Sequence, residues 1–382
     1  MRKLKVTVLM LSLVTVMAGA AVAPALGPIG EYFKDADPLL IKLIVTLPAL
    51  FIIFTSLSFN AISSKLTSKT IAVLGLVLYI VGGCGAGFVD SIYLLLVFRS
   101  ILGIGVGLIM PLSTGLIAYF FDKKEQPKLM GYSTAMNNLG GIIALALSGV
   151  LVSLNWRYSF AIYLLGLVIL IMVIRVLPKE KKSSAKSSFD MKSIRKILPY
   201  GIAMFLTMIV FYAVPANFSM VMTQENLVPT SFVGVLMSVQ NITSFIIGLA
   251  VSVIISKLGR FAKYFAPGTL ALGFFSLTFS GSIAAAVLGL FLIGVGLGIM
   301  VPLLFSQISF HMDKEKMTSA MSIMSAMMYL GQFLSPILID GIQSQLGLTG
   351  LQTPFYIAMV LAVVLLVVLI WVPIYSSNRE RK

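Results

Sequence analysis

Cysteine and histidine are almost absent from this chain. Its 382 residues include one cysteine, Cys84, and one histidine, His311. A single thiol excludes an internal disulfide and any thiolate metal site, and a single imidazole leaves no histidine cluster to hold a metal or run acid–base chemistry. Charge is also scarce. Only 11% of the residues are Asp, Glu, Lys or Arg, against about a quarter in soluble domains. Acids are scarcest, 13 against 28 basic residues, giving a net charge of +15. No enzyme activity and no cofactor is expected from this inventory.

Apolar residues make up 59% of the chain, and mean hydropathy is +1.03. A soluble fold of this length cannot hide so much apolar surface from water. The apolar residues fall into runs long enough to cross about 30 Å of hydrocarbon. These lie at 5–29, 39–62, 70–89, 92–120, 129–153, 158–177, 199–221, 232–256, 264–281, 285–310, 317–340 and 354–375, here runs 1 to 12. They do not alternate polar and apolar residues, which excludes a membrane β-barrel. Run 1, with Arg2-Lys3 before it and Ala21-Val22-Ala23 near its end, has features of a cleaved signal. Pro24 would follow the cut, and removal would leave eleven helices, so the run is read as retained.

The chain is written twice. Gly103, Gly105, Gly107 and Pro111 recur 191 positions later as Gly294, Gly296, Gly298 and Pro302. Asp122-Lys123 recurs as Asp313-Lys314, and Leu139-Gly140 as Leu330-Gly331. Such an ordered pattern marks an internal duplication. The expected fold is therefore an all-α membrane protein, with twelve transmembrane helices in two six-helix bundles. The bundles are expected at 1–178 and 199–376, with a Ser/Lys-rich cytoplasmic linker at 179–198 and a tail at 377–382. A short amphipathic helix on the membrane surface is one reading of Phe189–Leu198. The glycine string is read as close helix packing, since a nucleotide loop needs a strand before it. Pro111 and Pro302 are expected to bend their helices.

With the N-terminus inside, only Lys34, Lys42, Arg157 and the intramembrane Arg99 of the 28 basic residues fall away from the cytoplasmic side. This satisfies the positive-inside rule. It predicts a cell-membrane protein with both termini cytoplasmic and a basic face meeting anionic lipid. Nucleic acid is not an expected partner, because the charge is dispersed over short loops.

Two duplicated bundles of six resemble the major facilitator superfamily, and the resemblance covers nearly the whole chain. It is most similar to the twelve-helix drug:proton antiporters and bacterial efflux permeases. Pro24-Ala-Leu-Gly-Pro-Ile-Gly-Glu31, Arg99-x-x-x-Gly103 and Asn155-Trp156-Arg157-x-x-Phe160 carry the likeness. The family's loop between helices 2 and 3 is degraded: its positions hold Asn60, Ser64, Lys65, Thr67, Ser68 and Lys69, and the repeat copy holds Ser252, Ser256, Lys257, Gly259 and Arg260. Both copies lack the aspartate. The resemblance implies a conformational-switch loop in which Lys65, Lys69, Lys257 and Arg260 keep the basic character. The Gly-Pro of the family's antiporter motif is missing near Ala144-Leu145, though Gly140, Gly141 and Gly149 remain.

A charge inside a membrane helix is a functional candidate by default. For Arg99 the resemblance implies proton coupling or holding of the transport bundle. The residue-level alternative is that it snorkels or binds backbone carbonyls. Proton coupling needs a group that changes protonation, and the acids nearest the membrane are Glu31 and Asp340. Either also reads as a solvated cap. His311 reads as an interface residue. The resemblance places a cavity among runs 1, 4, 7 and 10, flanked by 2, 5, 8 and 11. Its candidate lining is Asn137, Asn138, Tyr212, Asn217, Gln240, Asn241, Gln307, Tyr329 and Gln332. Each serves equally well in hydrogen bonding between helices. Methionines such as those in Met317–Met328 suit an adaptable surface or simply fill the core.

The expected function is alternating-access transport, exporting a small lipophilic or amphipathic compound against proton entry, by a monomer. The alternatives are a nutrient or small-anion symporter or facilitator, with Arg99 on the anion, and a non-transporting membrane sensor.

Overall fold

The computed structural model describes residues 2–122, 125–178, 191–225, 227–279, 281–311 and 317–371. Among these residues there are helices and no strands. The helices are α1 (Arg2–Ala20), α2 (Leu26–Tyr32), α3 (Pro38–Lys65), α4 (Ser68–Gly85), α5 (Ile92–Phe120), α6 (Gln126–Leu154) and α7 (Leu165–Val176). They continue with α8 (Met191–Gln224), α9 (Thr230–Leu258), α10 (Ala262–Leu277), α11 (Ile283–His311), α12 (Met317–Gln345) and α13 (Thr353–Trp371). Eleven spans among the described residues are long and apolar enough to cross a membrane. Run 9 is the twelfth, and its helix α10 has 16 residues.

Run 1 is not the single helix expected. α1 stops at Ala20, a 3-10 turn covers Ala23–Ala25, and α2 follows. Pro24 has no N–H to offer the carbonyl of Ala20, and its ring obstructs a continuing helix. Run 6 begins as a 3-10 helix, Trp156–Leu164, before α7. Three residues per turn align Trp156, Ser159 and Ile162 on one side, and all three are buried. Run 7 starts earlier than its apolar pattern: residues 191–198, expected to belong to the linker with a surface helix at 189–198 as one reading, are the beginning of α8. Linker residues 179–190 and tail residues 377–382 lie outside the described residues.

The chain forms two compact units: Met1–Ala185 with Pro229–Ser238, and Lys186–Val228 with Val239–Lys382. In the first, α5 packs on α3 and α4, and α1 packs on α6 and α5. In the second, α10 packs on α11 and α13, and α8 packs on α12 and α13.

The duplication reappears in the packing. A Cβ placed on Gly103 would stand 2.5 Å from the Pro48 carbonyl oxygen, and one on Gly294 would stand 2.5 Å from that of Gln240. Gly105 lies against the carbonyl of Gly75, and Gly296 against that of Ala266. Gly82 abuts Leu102, and Gly273 abuts Ile293. Gly140 lies against Leu13, and Gly331 against Phe205. In each unit a helix is held so close to its neighbour's backbone that only glycine fits, and the sites recur at the repeat interval. Among lipid tails, where apolar helices gain little by meeting, such close approach supplies the packing.

Candidate functional site

Arg99 is the focus of the first unit. It lies in the second turn of α5 and is 0% exposed. Its Nε donates to the carbonyl of Ile44 at 2.6 Å, Nη1 to the hydroxyl of Tyr163 at 2.6 Å, and Nη2 to the carbonyl of Ala18 at 2.6 Å. The Tyr163 hydroxyl in turn donates to Ala18 at 2.8 Å. Tyr79 meets the Tyr163 ring edge-on, with centroids 5.3 Å apart. Of the two alternatives for Arg99, the structure shows carbonyl binding, and no snorkelling.

Both carbonyls are available for a reason written in the sequence. Ile44 lies four residues before Pro48 within α3, and a proline has no N–H to donate. Ala18 lies in the last turn of α1, where carbonyls have no helical donor and carry the negative end of the helix dipole. A guanidinium, with donors fixed in a fork, suits two such oxygens. Pro111 repeats the arrangement in α5: the carbonyl of Gly107, four residues earlier, receives the Ser56 hydroxyl at 3.4 Å.

A second cluster in this unit gathers Arg157, Asp90 and Tyr32. The Arg157 guanidinium donates to the carbonyls of Gly87 and Val89 at 3.2 and 2.8 Å and pairs with the carboxylate of Asp90. It stacks over Trp156 and Tyr32, 4.4 and 5.2 Å from their ring centroids. The Tyr32 hydroxyl donates to Asp90 at 2.8 Å. That hydrogen bond, and then the Arg157 charge, hold the Asp90 carboxyl below its ordinary value of 3.8. Asn155 caps this 3-10 helix by accepting from the Arg157 backbone N–H. Asp90 and Tyr32 carried no sequence signal, since they meet across 58 residues.

The sign of the pH effect follows. A carboxylate whose folded value is depressed contributes stability above its unfolded value and loses it as pH falls through the folded one. Asp90→Asn is expected to lower the melting temperature in detergent at pH 7 and at pH 5. The difference from wild type should close below pH 3.8. A difference that stays constant well below pH 3.8 would show that the pairing is not what the carboxylate contributes.

The other candidates are placed as follows. Glu31 is exposed in the last turn of α2, and Asp340 is half-buried in α12. Asp340 is the only Asp or Glu within the long helices among the described residues. Asn137 is half-buried on α6 and accepts from the Thr15 hydroxyl at 2.8 Å, one turn from a buried Ser12–Ser133 pair at 2.6 Å. Asn138, Tyr212, Asn241, Tyr329 and Gln332 are half-buried. Asn217 is 3% exposed and bonds the carbonyl of Ala213, one turn back on its own helix. Gln240 and Gln307 are buried, and Oε1 of Gln240 has no protein partner. Of the switch-loop residues, Lys65 and Lys257 are exposed, and Lys69 donates to the carbonyl of Ile174 in the last turn of α7. The side chains of Arg260 and His311 lie outside the described residues. Sequence reasoning missed Glu225, half-buried at the end of α8, whose carboxylate accepts from the Gln352 amide.

Within this arrangement are two repeated helical units whose buried polar groups carry little charge. The fold has close counterparts among solved transporters. The D-xylose–proton symporter aligns with a TM-score of 0.78 at 16% identity, over 97% of this chain and 98% of that one. The nucleoside transporter NupG aligns with a TM-score of 0.75 at 15% identity, over 96% and 98%. Curated relatives are more similar over shorter stretches. The multidrug transporter protein MdtP of Bacillus subtilis is 28% identical over 148 residues, 37% of this chain and 27% of that protein. The quinolone resistance protein NorA of Staphylococcus aureus is 31% identical over 132 residues, 34% of each. The matches thus span about a third or less of those relatives' own length. The family model of the Major Facilitator Superfamily matches residues 8–336. The chain is a multi-pass membrane protein and belongs to the Major Facilitator Superfamily.

Proposed function

We propose that the protein exports small lipophilic or amphipathic compounds by alternating access, driven by proton entry. It acts as a monomer in the cell membrane, with its termini and its basic, lipid-contacting face cytoplasmic. The observation that carries this reading is the kind of polar group the helices bury. Among the described residues no Asp or Glu is buried, and apart from Arg99 and Lys42 the buried polar side chains are hydroxyls and amides. Such groups orient a ligand by hydrogen bonds without demanding a charge of either sign. A site for organic cations would be expected to hold a buried carboxylate. Similarity to proteins named a multidrug transporter and a quinolone resistance protein supports drug-like cargo. The geometry does not favour an anion symporter with Arg99 on the substrate, since that guanidinium is enclosed by Ile44, Ala18 and Tyr163.

The test is a binding panel on the purified protein. Neutral and weakly anionic lipophilic compounds are expected to bind at least about tenfold more tightly than dications of similar size, a difference of about 1.4 kcal/mol. Tight binding of a divalent organic cation would sink the proposal.

A further inference from the structure

The two units solve one packing problem in different ways. In the first, Gly103 presses on the carbonyl of Pro48; in the second, Gly294 presses on that of Gln240. Gln240 therefore stands where Pro48 stands. Four residues before each glycine are Arg99 and Leu290, both 0% exposed. Gln240 has a backbone N–H and lies inside α9, so the helix completes its own bond to the residue four back. Pro48 has none, and the carbonyl it leaves open, that of Ile44, is the one Arg99 Nε reaches at 2.6 Å. Arginine accompanies proline, and leucine accompanies the intact N–H.

We propose that Pro48 and Arg99 form one device, in which the guanidinium replaces the backbone donor that the proline removes. It fixes α5 to α3 one turn before Pro48 and, through Ala18, to the end of α1. Arg99 is thus a positioning residue that travels with these helices. Each of its three guanidinium nitrogens is engaged, by Ile44, Tyr163 and Ala18, so the device takes no part in proton exchange. The Tyr163 hydroxyl still reaches Ala18 without it, which leaves Ile44 as the group that an Arg99 substitution orphans. A buried carbonyl with no donor is destabilising in any context, and most of all where no water can enter.

The test is a double-substitution cycle on the full chain, with wild type, Arg99→Leu, Pro48→Ala and the pair together. Thermal unfolding in detergent is read alongside the pH profile of transport of Nile red, a neutral lipophilic dye, in liposomes. Arg99→Leu alone is expected to show a large loss of melting temperature. The double variant, which carries the N–H and the leucine of the second unit, is expected to regain more than about half of that loss, the mark of coupled neighbours. It should also keep the wild-type pH profile. If Arg99→Leu alone yields no folded protein, recovery of folded protein in the double variant supports the proposal equally. A double variant no more stable than Arg99→Leu would overturn it. So would one that is stable but has lost the pH dependence of transport, because that result makes Arg99 part of the proton path. Failure of the wild type to move the dye would count against the export reading, and the stability cycle would then decide this inference alone.

Discussion

Gly103→Ala and Gly294→Ala are expected to destabilise the protein by similar amounts, about 2 kcal/mol or more each. The new methyl would stand 2.5 Å from a carbonyl oxygen in both cases, that of Pro48 and that of Gln240. These are backbone atoms, so a rotamer change cannot relieve the overlap, and α5 must move off α3, or α11 off α9. Gly131→Ala and Gly248→Ala are the matched controls. Both lie in helices with nothing within 4 Å of the added atom. Alanine there is expected to be neutral or to stabilise by up to about 1 kcal/mol, because it restricts the unfolded chain. Melting curves in detergent separate the pairs. If Gly103→Ala melts with Gly131→Ala, the close approach is not a determinant of the fold. If Gly103→Ala and Gly294→Ala differ widely, the repeat does not extend to energetics.

Asp340→Asn is expected to reduce drug-driven proton flux at least about tenfold, an effect of roughly 1.4 kcal/mol on the limiting step. Glu31→Gln is expected to leave it nearly unchanged. A coupling group must be shielded from one side while it exchanges with the other. Asp340, half-buried inside α12, is the better shielded of the two acids, whereas Glu31 is exposed at the end of α2. The asparagine keeps the size and hydrogen-bonding capacity but cannot gain or lose a proton at working pH. Substrate binding retained in Asp340→Asn, with flux gone, would separate coupling from recognition. Full flux in that variant, and loss in Glu31→Gln, would reverse the assignment.

What the sequence made legible was periodic or local. Glycines at the 191-residue interval announced both the duplication and the close contacts that the structure contains, because the same backbone crossing needs the same missing side chain. Run boundaries failed where proline acts at a distance of one turn. Pro24 breaks run 1 after Ala20, although the apolar pattern continues through it. The depth of Arg99 was readable from its place in run 4, but its partners were not. They are main-chain oxygens of α1 and α3, 81 and 55 residues away, and the Tyr163 hydroxyl, 64 residues away, and hydropathy does not report them. One link could have been drawn from sequence alone: Pro48 must leave Ile44 without a helical donor. The Asp90–Tyr32–Arg157 cluster had no such signal, since it joins loop ends that become neighbours only after the helices pack. Side chains on the candidate lining positions were correctly placed on helices, but their burial ranges from half-exposed Asn138 to enclosed Gln307, which amphipathic spacing in an almost wholly apolar helix does not distinguish.

The most direct measurement is proton flux in liposomes that contain the purified protein and a trapped pH dye, with neutral lipophilic compounds added under an imposed proton gradient. The account predicts compound-dependent proton movement that saturates and that Asp340→Asn abolishes. Substrate movement without proton movement would contradict it and make the protein a facilitator.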